Sequence, residues 1–177
     1  LKITAVMKET AAIMMTDIVG FNKIARQEEG IFAEICATHK DIHHTSVERF
    51  NGRLIHIFGD KSLSIVHGPA DAVKCSIELQ NSLNREPFIP LRIAIHYGEV
   101  NTEGDDILGS ALKVTSRILK NAITNSILVS AEVHHFLDSE PAIQTHSIGI
   151  CHFKHTDYPL EIFGISNGNL ALPERLS

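Results

Sequence analysis

Short apolar runs separated by polar or glycine-containing turns dominate the first half of the chain. Such runs predict β-strands, and they cover residues 10–18, 53–58, 62–66 and 91–97. Residues 22–50 instead place apolar side chains at helical spacing, which predicts one or two amphipathic helices. That apolar stripe consists of Phe32, Ile35, Ile42 and Val47. Asp71 suits the N-cap of a further helix that ends near Leu83.

The second half of the chain continues the alternation of strands and helices. A turn is predicted over residues 101–105, and helices are predicted over 109–120 and 132–137. Strands are predicted over 127–129, 145–153 and 159–165, and the tail from Gly168 shows no pattern. The order β-α-β-β-α-β fits a ferredoxin-like core with added strands and helices, so we predict an α+β fold in a single domain.

Composition limits the function classes. The 177 residues are 44% hydrophobic, which suffices for one domain with a buried core. A formal net charge of -5 without a basic run argues against a nucleic-acid-binding surface. A polyanionic ligand would have to be met locally, by metal ions and a few cations. Because no apolar stretch has the length of a membrane span and no signal-peptide pattern is seen, we expect no membrane contact from this domain and a cytoplasmic location.

The cysteines and the first residue add two expectations. Cys36, Cys75 and Cys151 have no metal-ligand spacing, which predicts core roles in a reducing compartment. The numbered chain begins at Leu1 close to the first predicted strand. We therefore interpret it as a domain excised from a longer, sensory or membrane-bound protein.

Two strand ends carry candidate chemistry. Asp17 and Asp60 each follow an apolar run, and each has a glycine nearby, Gly20 and Gly59. Paired carboxylates at one sheet edge can hold divalent metal ions, and the glycines leave room for phosphates to approach the backbone. Taken singly, each aspartate is also compatible with an ordinary turn.

Five ordered segments resemble the catalytic domain of the class III nucleotidyl cyclases, the adenylate and guanylate cyclase family. The segments are Met-Thr-Asp-Ile-Val-Gly-Phe-Asn at 15–22, Gly-Asp at 59–60, Asp-Ala-Val-Lys-Cys at 71–75, Leu-Arg-Ile-Ala-Ile-His-Tyr-Gly-Glu-Val at 91–100, and Asp-Ile-Leu-Gly through Arg at 106–117. The similarity spans about residues 10–165. Together these motifs are specific, although any one alone would be weak.

The resemblance implies a reaction that forms cyclic AMP and pyrophosphate from ATP, with GTP as the other possible substrate. It implies that Asp17, Asp60 and the Ile18 carbonyl hold two Mg²⁺ or Mn²⁺ ions. Backbone amides around Val19, Gly20 and Phe21 would bind the terminal phosphates. Arg92 matches an arginine that faces the phosphates in the family, although a strand arginine is also commonly a solvated charge.

In the family each active site lies between two subunits, so the resemblance implies a homodimer with shared sites. Asp106 occupies a base-reading position, where a carboxylate accepts from the adenine amine and repels the guanine carbonyl; alone, it is equally a turn residue. Arg117 corresponds to the transition-state arginine, and Lys154 is the candidate for a triphosphate lysine. Arg117 on its own would also suit a surface cation near a helix C-terminus.

Two positions depart from the family pattern. The second base-reading position, usually lysine or glutamate, is His56, which makes the base preference uncertain. The asparagine that orients the ribose is replaced by Lys113, a longer point charge that cannot accept a hydrogen bond. Lys113 would then grip phosphate or misplace the sugar. These departures leave two hypotheses open: an adenylate cyclase, and a weak or inactive cyclase-like domain that binds nucleotide or partner domains in signalling.

The chain has 11 histidines, and His39, His43 and His44 have a spacing that allows two of them to chelate a metal on one helix face. No third ligand follows at suitable spacing. We therefore interpret these three, and His134 and His135, as surface residues.

Overall fold

The computed structural model describes residues 5–154 and 156–176, which form eight strands and five helices. The strands are β1 (Val6–Ile18), β2 (Arg53–Phe58), β3 (Lys61–Val66), β4 (Leu91–Glu103), β5 (Asp106–Leu108), β6 (Ser126–Ser130), β7 (Thr145–Cys151) and β8 (Leu160–Ile165). The helices are α1 (Phe21–Ile24), α2 (Glu29–Arg49), α3 (Pro69–Leu83), α4 (Ser110–Leu119) and α5 (Ala131–His135). None of the helices in these ranges combines the length and the apolar character needed to cross a membrane.

All eight strands belong to one sheet. Its order is β2-β3-β1-β4-β6-β8-β7, and β5 pairs with β4 at the margin. β4 and β6 run parallel, whereas the other pairs are antiparallel. The segment β2-β3-β1-β4, with α2 and α3 as its connecting helices, is the βαββαβ arrangement of a ferredoxin-like core. The predicted α+β fold with added strands and helices is therefore confirmed.

The two faces of the sheet bury different clusters. Successive residues of a strand point to opposite faces, so Met14 packs with residues of α2 and α3, whereas Ile13 packs with Ala111 of α4. The same alternation places Thr16 beneath α2 and Asp17 on the face that carries α4. The candidate chemistry of β1 therefore shares a sheet face with α4.

β1 and β4 are longer than predicted. They pair along 13 residues each, from Val6 opposite Glu103 to Ile18 opposite Leu91. The added part of β1, residues 6–9, is mostly exposed and consists of two apolar residues followed by two charged ones. It is held by the backbone ladder, and its sequence has no alternation that would predict a strand. The turn predicted over 101–105 begins too early. β4 continues to Glu103, and the turn that leads to β5 consists of Gly104 and Asp105 alone.

The predicted helical region 22–50 divides into α1 and α2. The N-cap prediction for Asp71 is wrong: Gly68 is the N-cap of α3, and Pro69 begins the helix, where a missing N–H is harmless. Asp71 lies in the first turn, where a negative carboxylate interacts favourably with the positive end of the helix dipole. The bounds of α4, β6, α5, β7 and β8 differ from those predicted by one or two residues.

The C-terminal tail packs against the sheet although its sequence shows no pattern. The Ala171 N–H donates to the Asn125 carbonyl at 2.9 Å, and the Leu176 N–H donates to the Ile148 carbonyl at 2.6 Å. Leu170 and Leu176 contact two different hydrophobic clusters. Isolated leucines at irregular spacing carry no periodicity, which is why the sequence does not reveal this extended segment.

The three cysteines are free thiols. Cys75 lies in the core, and its burial raises the pKa of its thiol to about 12. Cys151 is half-buried against the cluster beneath α4, and Cys36 is half-buried on α2. The predicted core role therefore holds fully for Cys75 alone.

The prediction that the α2 histidines lie at the surface is wrong for two of them. His39 and His43 are buried, whereas His44 is exposed. The His43 Nδ1 lies 2.7 Å from the His39 carbonyl, which can only accept, so Nδ1 carries the proton. The His43 Nε2 then accepts from the Thr16 hydroxyl at 2.9 Å, and Thr16 accepts from the Ser62 hydroxyl at 2.6 Å. This chain of hydrogen bonds ties α2 to β1 and β3 behind the end of β1.

His39 and His43 should make the fold sensitive to acid. Burial lowers the pKa of His39 to about 4, and burial together with the neighbouring His39 lowers the pKa of His43 to about 3. In the unfolded chain both titrate near pH 6.5, so between that value and about pH 4 the unfolded state binds more protons and stability falls as pH falls.

We expect His39→Leu to remove one part of this acid sensitivity. Between about pH 7 and about pH 5 the variant should lose about 2 kcal/mol less unfolding free energy than the wild type. Urea unfolding at the two pH values measures the difference, with His44→Leu on the exposed face of α2 as the control. Equal losses in the wild type and His39→Leu would contradict the assignment.

Candidate active site

Asp17 lies near the end of β1, and Asp60 lies in the turn between β2 and β3. Asp17 is opposite Lys61 in the β1 and β3 ladder, and the Ile18 N–H donates to the Asp60 carbonyl at 2.8 Å. This pairing brings the two side chains to the same sheet edge, where both line the same two cavities. Partial burial and contact with Asp17 raise the pKa of Asp60. The structure thus brings the two carboxylates together at one sheet edge, as the strand ends predict.

The two oxygens of the Asp17 carboxylate have different surroundings. Oδ2 accepts from the Arg92 guanidinium, at 2.6 Å from Nη2 and 3.0 Å from Nε. Oδ1 is buried and has no hydrogen-bond donor among the described residues. Asp17 is only 7% exposed, so water gives little compensation. A buried carboxylate oxygen beside a second carboxylate needs a positive partner, and a divalent cation between Asp17 and Asp60 fits this need.

The donor set fits a metal that arrives with its ligand. Within residues 5–154 and 156–176, no group of three or more His, Cys, Asp or Glu side chains could hold a metal ion. Beyond the two carboxylates, an ion at this edge would take the Ile18 carbonyl, water and oxygens of a bound molecule. Mg²⁺ commonly binds proteins in this way, through one or two carboxylates and the phosphates of a substrate.

The turn after β1 offers fewer amides than predicted. The Ile18 and Val19 N–H groups already donate to the Asp60 and Pro90 carbonyls, at 2.8 and 2.7 Å. The prediction that the Val19 amide binds phosphate is therefore wrong, because its hydrogen bond is used. Gly20 has a φ of 71°, in the left-handed region, and α1 begins at the next residue. Among the described residues no acceptor is seen for the Gly20 and Phe21 N–H groups, so these two amides are free to donate to an anion, as in an anion-binding nest.

A cavity of about 320 Å³ lies directly over this turn. It is lined by Asp17, Ile18, Val19, Gly20, Phe21, Asn22, Asp60 and Arg92. Gly20 has open space where a Cβ would project, so a ligand can approach its backbone. The cavity is therefore a suitable place for an anionic group that shares a cation with the two carboxylates.

The same carboxylates also line a larger cavity of about 510 Å³ on the α4 side of the sheet. Its polar lining residues are Thr16, Asp17, His56, Asp60, Lys61, Ser62, Arg92, Ser116 and Lys120. An adjoining cavity of about 400 Å³ is lined by Met15, Leu112, Lys113, Ser116, Arg117 and Lys120. We call these two cavities together the groove. The groove carries five cationic side chains against two carboxylates, although the whole chain is acidic.

Lys113 and Arg117 lie four residues apart on one face of α4. Lys113 is exposed and Arg117 is half-buried. Both line the 400 Å³ part of the groove, and neither lines the 510 Å³ part that contains Asp17 and Asp60. A single chain therefore places the predicted catalytic cations beside, but not within, its own carboxylate site.

The two predicted base-reading residues meet each other. The His56 Nε2 lies 3.3 Å from the Asp106 Oδ1, and the side chains are 59% and 70% exposed. A bulge in the pairing of β2 with β3, between Leu54 and His56, sets the position of His56. Asp106 reaches the pair from the start of β5. The two residues are 50 positions apart in the sequence, so only the fold shows that they are in contact.

Two predicted residues, Asp106 and Lys154, line neither the groove nor the cavity over the turn, and several lining residues were not predicted. Lys154 is exposed in the turn after β7 and lines neither part of the groove. The unpredicted residues with polar side chains are Thr16, Asn22, Lys61, Ser62, Ser116 and Lys120. Lys120 follows Lys113 by seven residues and Arg117 by three, so helical periodicity could have found it.

The chain belongs to the family of adenylate and guanylate cyclase catalytic domains, whose sequence profile matches residues 3–166. A protein of Rhizobium meliloti (strain 1021), provisionally named adenylate cyclase 3, is 25% identical over 167 residues. This match covers 90% of the chain and 28% of that protein. The chain spans about a third or less of the length of the curated relatives it matches.

Solved structures show the same fold at low sequence identity. The adenylyl cyclase CyaB from P. aeruginosa superposes with a TM-score of 0.82 at 15% identity, over 93% of this chain and 97% of that chain. The guanylate cyclase domain of RhGC from Catenaria anguillulae, solved in complex with GTP, superposes with a TM-score of 0.75 at 14% identity. That match covers 90% of this chain and 98% of the other.

Proposed function

We propose that the chain is the catalytic domain of an adenylate cyclase, which converts ATP to cyclic AMP and pyrophosphate. The observation that carries the proposal is the pair of Asp17 and Asp60 in one cavity lining, with a buried Asp17 Oδ1 that has no hydrogen-bond partner among the described residues. The reaction needs an activated ribose 3′-hydroxyl and neutralisation of charge on the phosphates. A cation site at the end of a positively charged groove meets both needs.

Asp17, Asp60 and the Ile18 carbonyl would hold two Mg²⁺ or Mn²⁺ ions. When bound, such ions favour deprotonation of the 3′-hydroxyl and neutralise phosphate charge. The chain's own groups would bind and orient the triphosphate: Gly20 and Phe21 line the cavity over the turn and can offer their amides, and Arg92 lines the same cavity. Arg92 can donate to a phosphate oxygen once a cation compensates the Asp17 carboxylate.

We propose that two copies of the chain form a homodimer with shared active sites. Lys113 and Arg117 line the groove on the same sheet face as Asp17 but do not enter its cavity. In a head-to-tail dimer, α4 of one chain would complete the carboxylate site of the other. Arg117 would then stabilise charge on the transferred phosphate, and Lys113 would contact the ribose or a phosphate.

His56 and Asp106 support ATP as the substrate. Their contact places a carboxylate acceptor beside a ring nitrogen that can donate. The edge of adenine offers an amine donor and the N1 acceptor, which complement these groups, whereas the guanine carbonyl would face the Asp106 carboxylate. GTP remains the alternative substrate, because His56 can also accept a hydrogen bond when it is neutral.

A second candidate function is a cyclase-like domain that binds nucleotide with little turnover. Two observations favour it. Arg92 is hydrogen-bonded to the Asp17 Oδ2, and His56 contacts Asp106, so these groups already have partners within the chain. Lys113 also replaces a short neutral side chain with a charged one. Purified protein incubated with Mn²⁺ and either ATP or GTP, with detection of cyclic product, distinguishes the candidates. Cyclic AMP formation supports the cyclase, whereas nucleotide binding without cyclic product supports the second function.

We expect the double variant His56→Lys and Lys113→Asn to form cyclic AMP faster than the wild type. Lysine at 56 would donate to adenine N1 with a permanent charge, and asparagine at 113 would orient the ribose with a short neutral group. Correct alignment of the nucleophile is worth roughly a hundredfold in rate. Turnover with Mn²⁺-ATP measures the effect, and Lys40→Asn on the exposed face of α2 is the control. If the double variant folds and dimerises but forms cyclic AMP no faster than the wild type, His56 and Lys113 do not slow the reaction.

A further inference from the structure

A row of cations follows one face of α4. Lys113, Arg117 and Lys120 are spaced by four and then three residues, so their side chains lie along the same side of the helix. Within the described ranges, no carboxylate lies within salt-bridge distance of any of the three. Their charge is therefore available to an anion that enters the groove.

Lys120 differs from the other two cations in its position. It lines both the cavity of Asp17 and Asp60 and the adjoining cavity, whereas Lys113 and Arg117 line only the latter. Lys120 is the C-cap residue of α4, so its side chain leaves the helix where the two cavities meet. It is the α4 cation that reaches the carboxylate site of its own chain.

The other two cations of that cavity, Arg92 and Lys61, belong to the sheet and lie next to the carboxylates. Arg92 is hydrogen-bonded to Asp17. Lys61 lies opposite Asp17 in the ladder, and its charge acts on Asp60. Lys154, the lysine expected to bind the triphosphate, lines neither cavity. Among the described residues, Lys120 is the cation of this cavity that comes from α4, lines both parts of the groove and has no carboxylate within salt-bridge distance.

We infer that Lys120 binds the terminal phosphates of the nucleotide held at Asp17 and Asp60 of the same chain. This inference rests on the proposed function. Lys113 and Arg117 would serve the partner's site, so α4 would contribute to two sites at once: in cis through its last residue and in trans through its middle. An ammonium group on a flexible stem suits triphosphate oxygens, which demand charge more than fixed geometry.

The first test compares nucleotides that differ in their phosphates. Lys120→Gln should weaken ATP binding in the presence of Mn²⁺ by about tenfold, the effect of one charge-assisted contact, and leave AMP binding unchanged. Lys40→Gln removes the same charge from α2 and should change neither. Equal loss for ATP and AMP, or no loss for ATP, would overturn the inference. This binding comparison decides the role of Lys120 even if the protein forms no cyclic product.

The second test separates cis from trans. In heterodimers of an Asp17→Ala chain with an Arg117→Ala chain, the one intact site combines Asp17 of the second chain with Arg117 of the first. Lys120→Gln should raise the KM for ATP when it is placed on the chain that keeps Asp17, and have no effect on the chain that keeps Arg117. The reverse pattern would assign Lys120 to the partner's site and overturn the cis assignment.

Discussion

Replacing Asp17 with alanine is expected to abolish cyclic nucleotide formation and metal-dependent nucleotide binding while the domain stays folded. The variant loses the carboxylate whose buried Oδ1 has no hydrogen-bond partner among the described residues and which lines the same cavities as Asp60. Metal ions contribute several kcal/mol of charge stabilisation in such reactions, so turnover should fall by roughly a thousandfold or more. Turnover and calorimetric titration of Mn²⁺-ATP measure the two effects.

The fold should survive because Arg92, the partner left behind, keeps a quarter of its side-chain surface exposed (27%) and can turn toward water. Asp41→Ala, on the exposed face of α2, is the matched control and should leave activity and binding unchanged. Circular dichroism melting checks that both variants fold. Wild-type affinity for Mn²⁺-ATP in folded Asp17→Ala would refute the metal assignment.

Two inactive chains should restore activity when they are mixed. Asp17→Ala lacks the carboxylate half of the proposed site, and Arg117→Ala lacks the half that α4 supplies. Each heterodimer then contains one site with both halves intact. Because random exchange of subunits makes half of the dimers heterodimers, about a quarter of the wild-type activity should return. Turnover after subunit exchange, with the heterodimer fraction measured by two affinity tags, tests this.

A mixture of Asp17→Ala with Asp60→Ala is the matched control, since both substitutions damage the same half. It should stay inactive, because no arrangement of the two chains then yields an intact site. If heterodimers of Asp17→Ala and Arg117→Ala are demonstrated and remain inactive although the wild type is active, the sites are not shared between chains.

The sequence predicts that Asp17 and Asp60 lie at the same sheet edge, because this placement depends on local sequence patterns. Each aspartate follows a strand whose apolar run is visible, and the β2 and β3 hairpin leaves few ways to arrange the strands. The contact between His56 and Asp106 depends on a bulge and on a three-residue strand. Neither feature has a periodic pattern, so single-sequence reasoning does not find the contact.

The buried histidines of α2 could have been predicted from their helical spacing, but not from the usual surface preference of histidine. Ile35, His39, His43 and Val47 follow one another at steps of four, so they share one helix face. That face is buried, and the two histidines are carried into the core with it. Spacing alone predicts this, whereas the usual surface preference of histidine does not. The hydrogen bond from the Thr16 hydroxyl to His43 then requires a partner strand that the sequence does not specify.

The contact between Arg92 and Asp17 has a consequence for handling the protein. Asp17 carries its own counter-ion within the chain, supplied by a side chain that also donates to the Ala122 carbonyl at 3.4 Å. The sheet edge is thereby held in shape by groups that chelators cannot remove. Purification in the presence of EDTA should leave a folded domain. Different divalent ions can then be added back to the same preparation and compared.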